Sequence, residues 1–74
     1  MSSKIELLDV VALLVDLPEA GLERGEVGTV VEIFHNDHYE VEFCNNKGQA
    51  YAMLAIAGKD LLVLVYKPQA EMML

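Results

Sequence analysis

Apolar and polar residues alternate most cleanly at Tyr39-Glu40-Val41-Glu42-Phe43, where every second side chain is apolar and the two between are carboxylates. A two-residue period places Tyr39, Val41 and Phe43 on one face of a strand and Glu40 and Glu42 on the other, the signature of a half-buried strand with an acidic outer face. The run before it, Val27 to Phe34, has the same period, with Thr29, Val31 and Ile33 on one face and Val30, Glu32 and Phe34 on the other. Gly28 within this run predicts a bulge or a sharp bend. The polar break His35-Asn36-Asp37-His38 predicts a turn between the two strands. Cys44-Asn45-Asn46-Lys47-Gly48 predicts a second hairpin connection, since Asn and Gly tolerate the left-handed backbone such turns need.

Around this centre the pattern extends the sheet. Gln49 to Ile56 predicts a strand with Ala50, Ala52, Leu54 and Ile56 on one side and Tyr51, Met53 and Ala55 on the other. Ala57-Gly58-Lys59-Asp60 turns the chain into a last strand, Leu61 to Val65. At the other end, Asp9 to Leu14 is rich in β-branched residues and stops short of Leu17-Pro18, where proline disfavours α geometry in the residue before it. Leu7, Val11 and Leu14 also fall at helical spacing, so a helix is the competing prediction there. Asp16 to Gly25 is a folded-over loop. The fold class is therefore all-β, a small five-stranded antiparallel barrel over residues 9–66, with an N-terminal segment 1–8 and a C-terminal tail 67–74 ending in Met72-Met73-Leu74.

Composition then narrows the function. A chain of 74 residues is one domain, close to the size at which a single core only just offsets chain entropy. Its apolar fraction is 54% with 7% aromatic residues and no Trp, more apolar material than so small a monomer easily hides, which predicts a surface for a partner or for self-association. Twelve acidic against five basic residues give a net charge of −7, which repels phosphate backbones and anionic membranes. One cysteine forms no intrachain disulfide, and the apolar run Leu7 to Leu17 is interrupted by Asp9 and Asp16 and is too short for a bilayer. These features predict a cytoplasmic protein that binds neither nucleic acid nor membrane.

No catalytic constellation is legible. His35, His38 and Cys44 are the one cluster with metal-ligating chemistry, but they lack the paired Cys and His spacings of zinc sites, and no metal or other cofactor is assigned. Glu32, Glu40 and Glu42 project from the outer face of the meander, where a carboxylate has neither the burial nor the cage that acid-base work or calcium binding requires. They are read instead as an acidic face that orients a basic partner. Leu62, Leu64 and Tyr66 complete the candidate partner-binding set, through pairing along the edge Leu61 to Tyr66 or docking of the apolar tail.

The string Leu8-Asp9-Val10-Val11-Ala12-Leu13, Leu17-Pro18-Glu19-x-Gly21-Leu22-x-Arg24-Gly25-x-Val27-Gly28-Thr29-Val30-Val31-Glu32, Tyr39-Glu40-Val41-Glu42-Phe43, Gly48 and Asp60-Leu61-Leu62 resembles the DUF4926 family of small, largely bacterial proteins of unknown function. The family carries over no catalytic or binding residues. The Gly-x-Val-Gly-Thr-Val block is also similar to SH3-like barrels of the KOW and CAP-Gly types. A KOW likeness implies contact with RNA or the ribosome, for which the chain lacks a basic surface. A CAP-Gly likeness implies binding of acidic peptide tails, for which it lacks the aromatic and Gly-Asn groove signature. The function expected is that of a non-enzymatic protein-interaction module, binding a partner protein or itself, conceivably as the antitoxin-like component of a two-protein system. The alternative is a KOW-like nucleic-acid or ribosome-associated domain.

Overall fold

A computed structural model describes residues 5–64. Five strands follow in order: β1 (Val10–Leu13), β2 (Val27–Phe34), β3 (His38–Cys44), β4 (Ala50–Ala57) and β5 (Leu61–Val63), with 3₁₀ turns at Pro18–Ala20 and Gly58–Asp60. They form one antiparallel sheet in the order β4-β3-β2-β1-β5. The expected five antiparallel strands are present, but the sheet is open rather than a closed barrel: β4 and β5 are its edges, and neither pairs with the other. The helical alternative resting on Leu7, Val11 and Leu14 is not adopted. Val10 and Val11 lie in an extended strand held between β2 and β5, and β-branched residues suit that environment. Of the expected last strand, Leu61–Val63 is paired, while residues 65 and 66 and the tail 67–74 lie outside the described residues.

Each turn has a local cause. The β2–β3 hairpin closes through Asn36 and Asp37, both left-handed at φ 63° and 60°, a conformation these short polar side chains tolerate better than most. In the β3–β4 connection the Asn45 side chain replaces the missing ladder. Its Oδ1 accepts from the Lys47 and Gln49 backbone N–H groups at 2.8 and 3.0 Å, and its Nδ2 donates to Gln49 Oε1 at 3.1 Å. The long β1–β2 loop is pinned by a two-residue bridge between Leu17 and Leu22 and by the Arg24 N–H donating to Asp16 Oδ1 at 2.8 Å.

The core lies on one face of the sheet. Val11, Leu13, Val30, Tyr39, Val41, Phe43, Ile56 and Leu61 come from the strands, Leu22 from the β1–β2 loop and Ile5 from the segment before β1. Burying a side chain of this size contributes about 1.5–3 kcal/mol, so Ile5 ties the residues just before β1 into the folded unit.

Two irregularities in the ladder correct the alternation read from the sequence. The bulge in β2 falls between Val30 and Glu32, where Val31 has no partner, and not at Gly28. It separates Val30, which is buried opposite Val41, from Glu32, which lies on the outer face opposite Glu40. Gly28 stays in register with Val11, and its role is close approach. A Cβ there would lie 2.6 Å from Val41 Cγ1, 2.8 Å from the Glu42 carbonyl oxygen and 3.0 Å from Phe43 Cδ2. The second irregularity leaves Tyr51 unpaired between the pairs Phe43–Ala52 and Cys44–Ala50. The Tyr51 ring turns toward Phe43, with centroids 6.3 Å apart, instead of sharing a face with Met53.

Candidate interaction surface

The outer face of the sheet has two chemically distinct halves. Over β5, β1 and β2 it is apolar. Ala12 pairs with both Val27 and Leu62, which makes a cross-strand row Leu62–Ala12–Val27. Beside it, the Leu64 N–H donates to the Val10 carbonyl at 2.8 Å, and Val10 pairs with Thr29. Leu62 is 50% exposed, Val27 46% and Val10 43%. These side chains are large, adjacent and open to solvent, whereas exposed apolar residues on soluble proteins are ordinarily scattered.

The other half is acidic. Thr29 pairs with Glu42, so the row that begins at Leu64 and Val10 runs into a carboxylate, and Met53 lies beyond it on β4. Neighbouring strands are about 4.8 Å apart, which puts the Glu42 backbone roughly 10 Å from Val10. Glu32 and Glu40 face each other directly across the β2–β3 ladder. Like charges in directly opposed positions destabilise a sheet. Among the described residues none of these three carboxylates has an ion-pair partner; the single ion pair there is Lys59 with Asp60 at 3.1 Å.

The sequence-assigned residues thus separate into groups. Glu32, Glu40 and Glu42 share the outer face, with Glu40 and Glu42 half-buried and Glu32 exposed. Leu62 and Leu64 lie on the same side two and three strands away, and Tyr66 is outside the described residues. Val10 and Leu14 were not singled out by the sequence, because a strand apolar at every position gives no sign of which residues face outward, and Val27 joins them on the outer face through its pairing with Ala12. The register to β2 and β5 supplies that information.

His35, His38 and Cys44 are not brought together. His38 opens β3 and holds its Nδ1 2.7 Å from the Asn36 carbonyl oxygen, while exposed Cys44 ends the same strand. Six residues of extended chain separate them by roughly 20 Å, too far to share one ion. Among the described residues no group of three or more His, Cys, Asp or Glu side chains is placed to hold a metal. A shallow depression of about 620 Å³ in the β1–β2 loop is lined by Asp16, Pro18, Gly21, Leu22 and Glu23. Asp16 is already engaged there by the Arg24 backbone.

Two phenols make specific polar contacts away from the outer face. Tyr39 donates to Asp37 Oδ1 at 2.9 Å, and that hydrogen bond, with burial and the carboxylate's charge, raises its pKa above the usual 10.0. Asp37 is locked from the other side as well. Its carbonyl accepts the Gly58 N–H at 2.8 Å, and its carboxylate oxygens sit 2.8 Å from where a Gly58 Cβ would be. Tyr51 donates to Glu26 Oε1 at 2.8 Å, and that bond is the first cause of its raised pKa, with burial and the charges of Glu26 and Cys44 adding to it. These contacts tie the hairpin ends to the loops, and among the described residues the side chains of Glu32, Glu40 and Glu42 enter no hydrogen bond or ion pair.

The class defined by this architecture is a small all-β domain built on one five-stranded antiparallel sheet, with a core on one face and an exposed apolar and acidic surface on the other. The chain belongs to the DUF4926 family, a domain of unknown function, whose model matches residues 7–63. Comparison with characterised proteins and with solved structures gives no match. No helix among the described residues is long and apolar enough to cross a membrane.

Proposed function

We propose that this chain is a non-enzymatic protein-interaction module of SH3-like architecture, which binds a partner protein through the outer face of β5, β1 and β2 and uses the adjoining carboxylates to orient it. The observation that carries this reading is the row Leu62–Ala12–Val27 across the outer face, in which Leu62 and Val27 are exposed and Ala12 half-buried, next to exposed Val10 and Leu64. Apolar contact area supplies affinity, and the Glu32, Glu40 and Glu42 border favours a partner with basic residues flanking its own apolar stripe. The like-charge pair Glu32–Glu40 supports a role in recognition, since it opposes folding stability and gains nothing within the sheet. An antitoxin-like place in a two-protein system is one form such a partnership takes.

The SH3-like architecture has its own support. The first and last strands are neighbours, β2 to β4 form a meander, and a 3₁₀ turn at Gly58–Asp60 leads into β5. The bulge at Val31 bends the strand shared by the two halves of the sheet.

Site-specific photo-crosslinking in cells tests the function directly. With the photoreactive residue at Leu62 or Val27, a discrete protein adduct is expected, and at Glu19 on the β1–β2 loop it is not. Adducts to RNA alone would favour the nucleic-acid reading, and equal adducts from all three positions would remove the proposed surface.

A further inference from the structure

The edge of the sheet opposite to β5 differs from the proposed binding face in kind. β4 runs for eight residues, Ala50–Ala57, and contains no charge, no proline and no glycine. It pairs with β3 on one side alone, and among the described residues no other backbone or side-chain group bonds to its free edge. Proteins ordinarily protect an exposed edge with lysine, proline, a bulge or a covering segment. The single irregularity here is at Tyr51, which leaves Ala52 to Ala57 as a regular run of unpaired donors and acceptors.

We infer that this edge pairs with β4 of a second copy, antiparallel about a two-fold axis at Leu54, to give one continuous ten-stranded sheet. Three features select a second copy as the occupant. With Leu54 opposite Leu54 of the second copy, Ala52 falls opposite Ile56 and Met53 opposite Ala55, so that a large side chain meets a small one on both faces. Leu54 and Ala52, which are only partly buried at the rim of the core, gain cover from Leu54 and Ile56 of the other copy. Charge is the third feature. Two chains of −7 repel each other, and β4 is a long uncharged strand whose nearest sheet carboxylates, Glu40 and Glu42, lie one strand inward opposite Ala55 and Met53. Across the dimer axis the two β3 strands are about three strand spacings, roughly 14 Å, apart. That exceeds the Debye length of about 8 Å at physiological ionic strength.

The test is sedimentation equilibrium of the full chain up to about 1 mM, with hydrogen exchange of β4 amides measured at the low and high ends of the range. The expected result is a monomer–dimer equilibrium that strengthens as salt is raised, with added protection confined to the alternate β4 amides that β3 does not use. Ala55→Lys, at an exposed position, shifts the protein to monomer with an unchanged circular dichroism spectrum, whereas Leu62→Ser leaves the dimer intact. A chain that stays monomeric at the highest concentration overturns the inference, as does a dimer that survives Ala55→Lys or is lost in Leu62→Ser. Partner binding through Leu62 is independent of these outcomes: an Ala55→Lys monomer that still crosslinks its partner from Leu62 separates the two surfaces.

Discussion

Gly28→Ala is the sharpest test of how the sheet is packed. In a strand, alanine at an unstrained position ordinarily stabilises by about 0.4–1 kcal/mol, because it restricts the unfolded chain. Gly28 does not have the positive φ that would oppose the change on backbone grounds, so the outcome rests on space alone. The new methyl group would lie 2.6 Å from Val41 Cγ1 and 2.8 Å from the Glu42 carbonyl oxygen, and Val41 is fully buried. A carbonyl in the ladder cannot rotate away, so β2 and β3 must separate by several tenths of an ångström or Val41 must leave its rotamer. Overpacking of this kind costs about 1–3 kcal/mol. After the unfolded-state gain is subtracted, a net loss of about 1–2 kcal/mol remains, out of a total of about 4–11 kcal/mol for a domain of this length. The corresponding fall in Tm is roughly 5–15 °C. Urea titration and calorimetry of the single variant measure it, and the double variant with Val41→Ala recovers the part of the loss due to the Cγ1 contact. A Gly28→Ala protein as stable as the parent, or more so, would refute the close approach and return Gly28 to the role of a flexible bend.

Three further predictions follow from contacts elsewhere. The Tyr39–Asp37 bond holds the phenol neutral, so its contribution is complete below the unfolded pKa of about 10 and is lost as pH rises through the higher folded value; Tm measured into the alkaline range falls more steeply for the parent than for Tyr39→Phe, and parallel curves would count against the bond. Glu32→Lys converts the like-charge pair with Glu40 into an attractive one and raises stability by roughly 0.2–1 kcal/mol, with the gain shrinking in high salt, while it weakens partner capture; a loss of stability would show that the two side chains do not face each other. Leu8 sits at φ 72° and is 68% exposed, so Leu8→Asn relieves backbone strain with little packing to lose and raises the denaturation midpoint by roughly 1 kcal/mol equivalent; a destabilised variant would mean that the leucine makes contacts its exposure conceals.

Legibility in the sequence followed the contrast between neighbouring residues. β3 could be read almost residue by residue because carboxylates separate Tyr39, Val41 and Phe43, and burial follows that alternation. β1 offered no such contrast: Val10, Val11, Ala12 and Leu13 are all apolar, and only pairing with β2 and β5 decides that Val11 and Leu13 point inward. The same ambiguity hid part of the candidate surface, since Val10 becomes an outer-face residue, and Val27 its neighbour across Ala12, only once the register is known. A strand glycine signals a bulge, a bend or a close approach, and distinguishing them needs the neighbour across the ladder, here Val41. The extra residue at Val31 leaves no mark in the local pattern, yet it reverses the face of Glu32. Asp37 against Gly58 is a contact between two turns 21 positions apart, beyond the reach of any local rule.

The central claim is that the outer face of β5, β1 and β2 is a protein-binding surface bordered by orienting carboxylates. Its most direct measurement is comparative co-purification of the untagged chain from its native cells, as the parent and as Leu62→Asp, Glu40→Lys and Ala55→Lys variants of equal stability. The account predicts one protein that accompanies the parent and Ala55→Lys in stoichiometric amount, is lost from Leu62→Asp, and is weakened in Glu40→Lys. A partner retained equally by Leu62→Asp, or RNA as the sole companion of the parent, would contradict it.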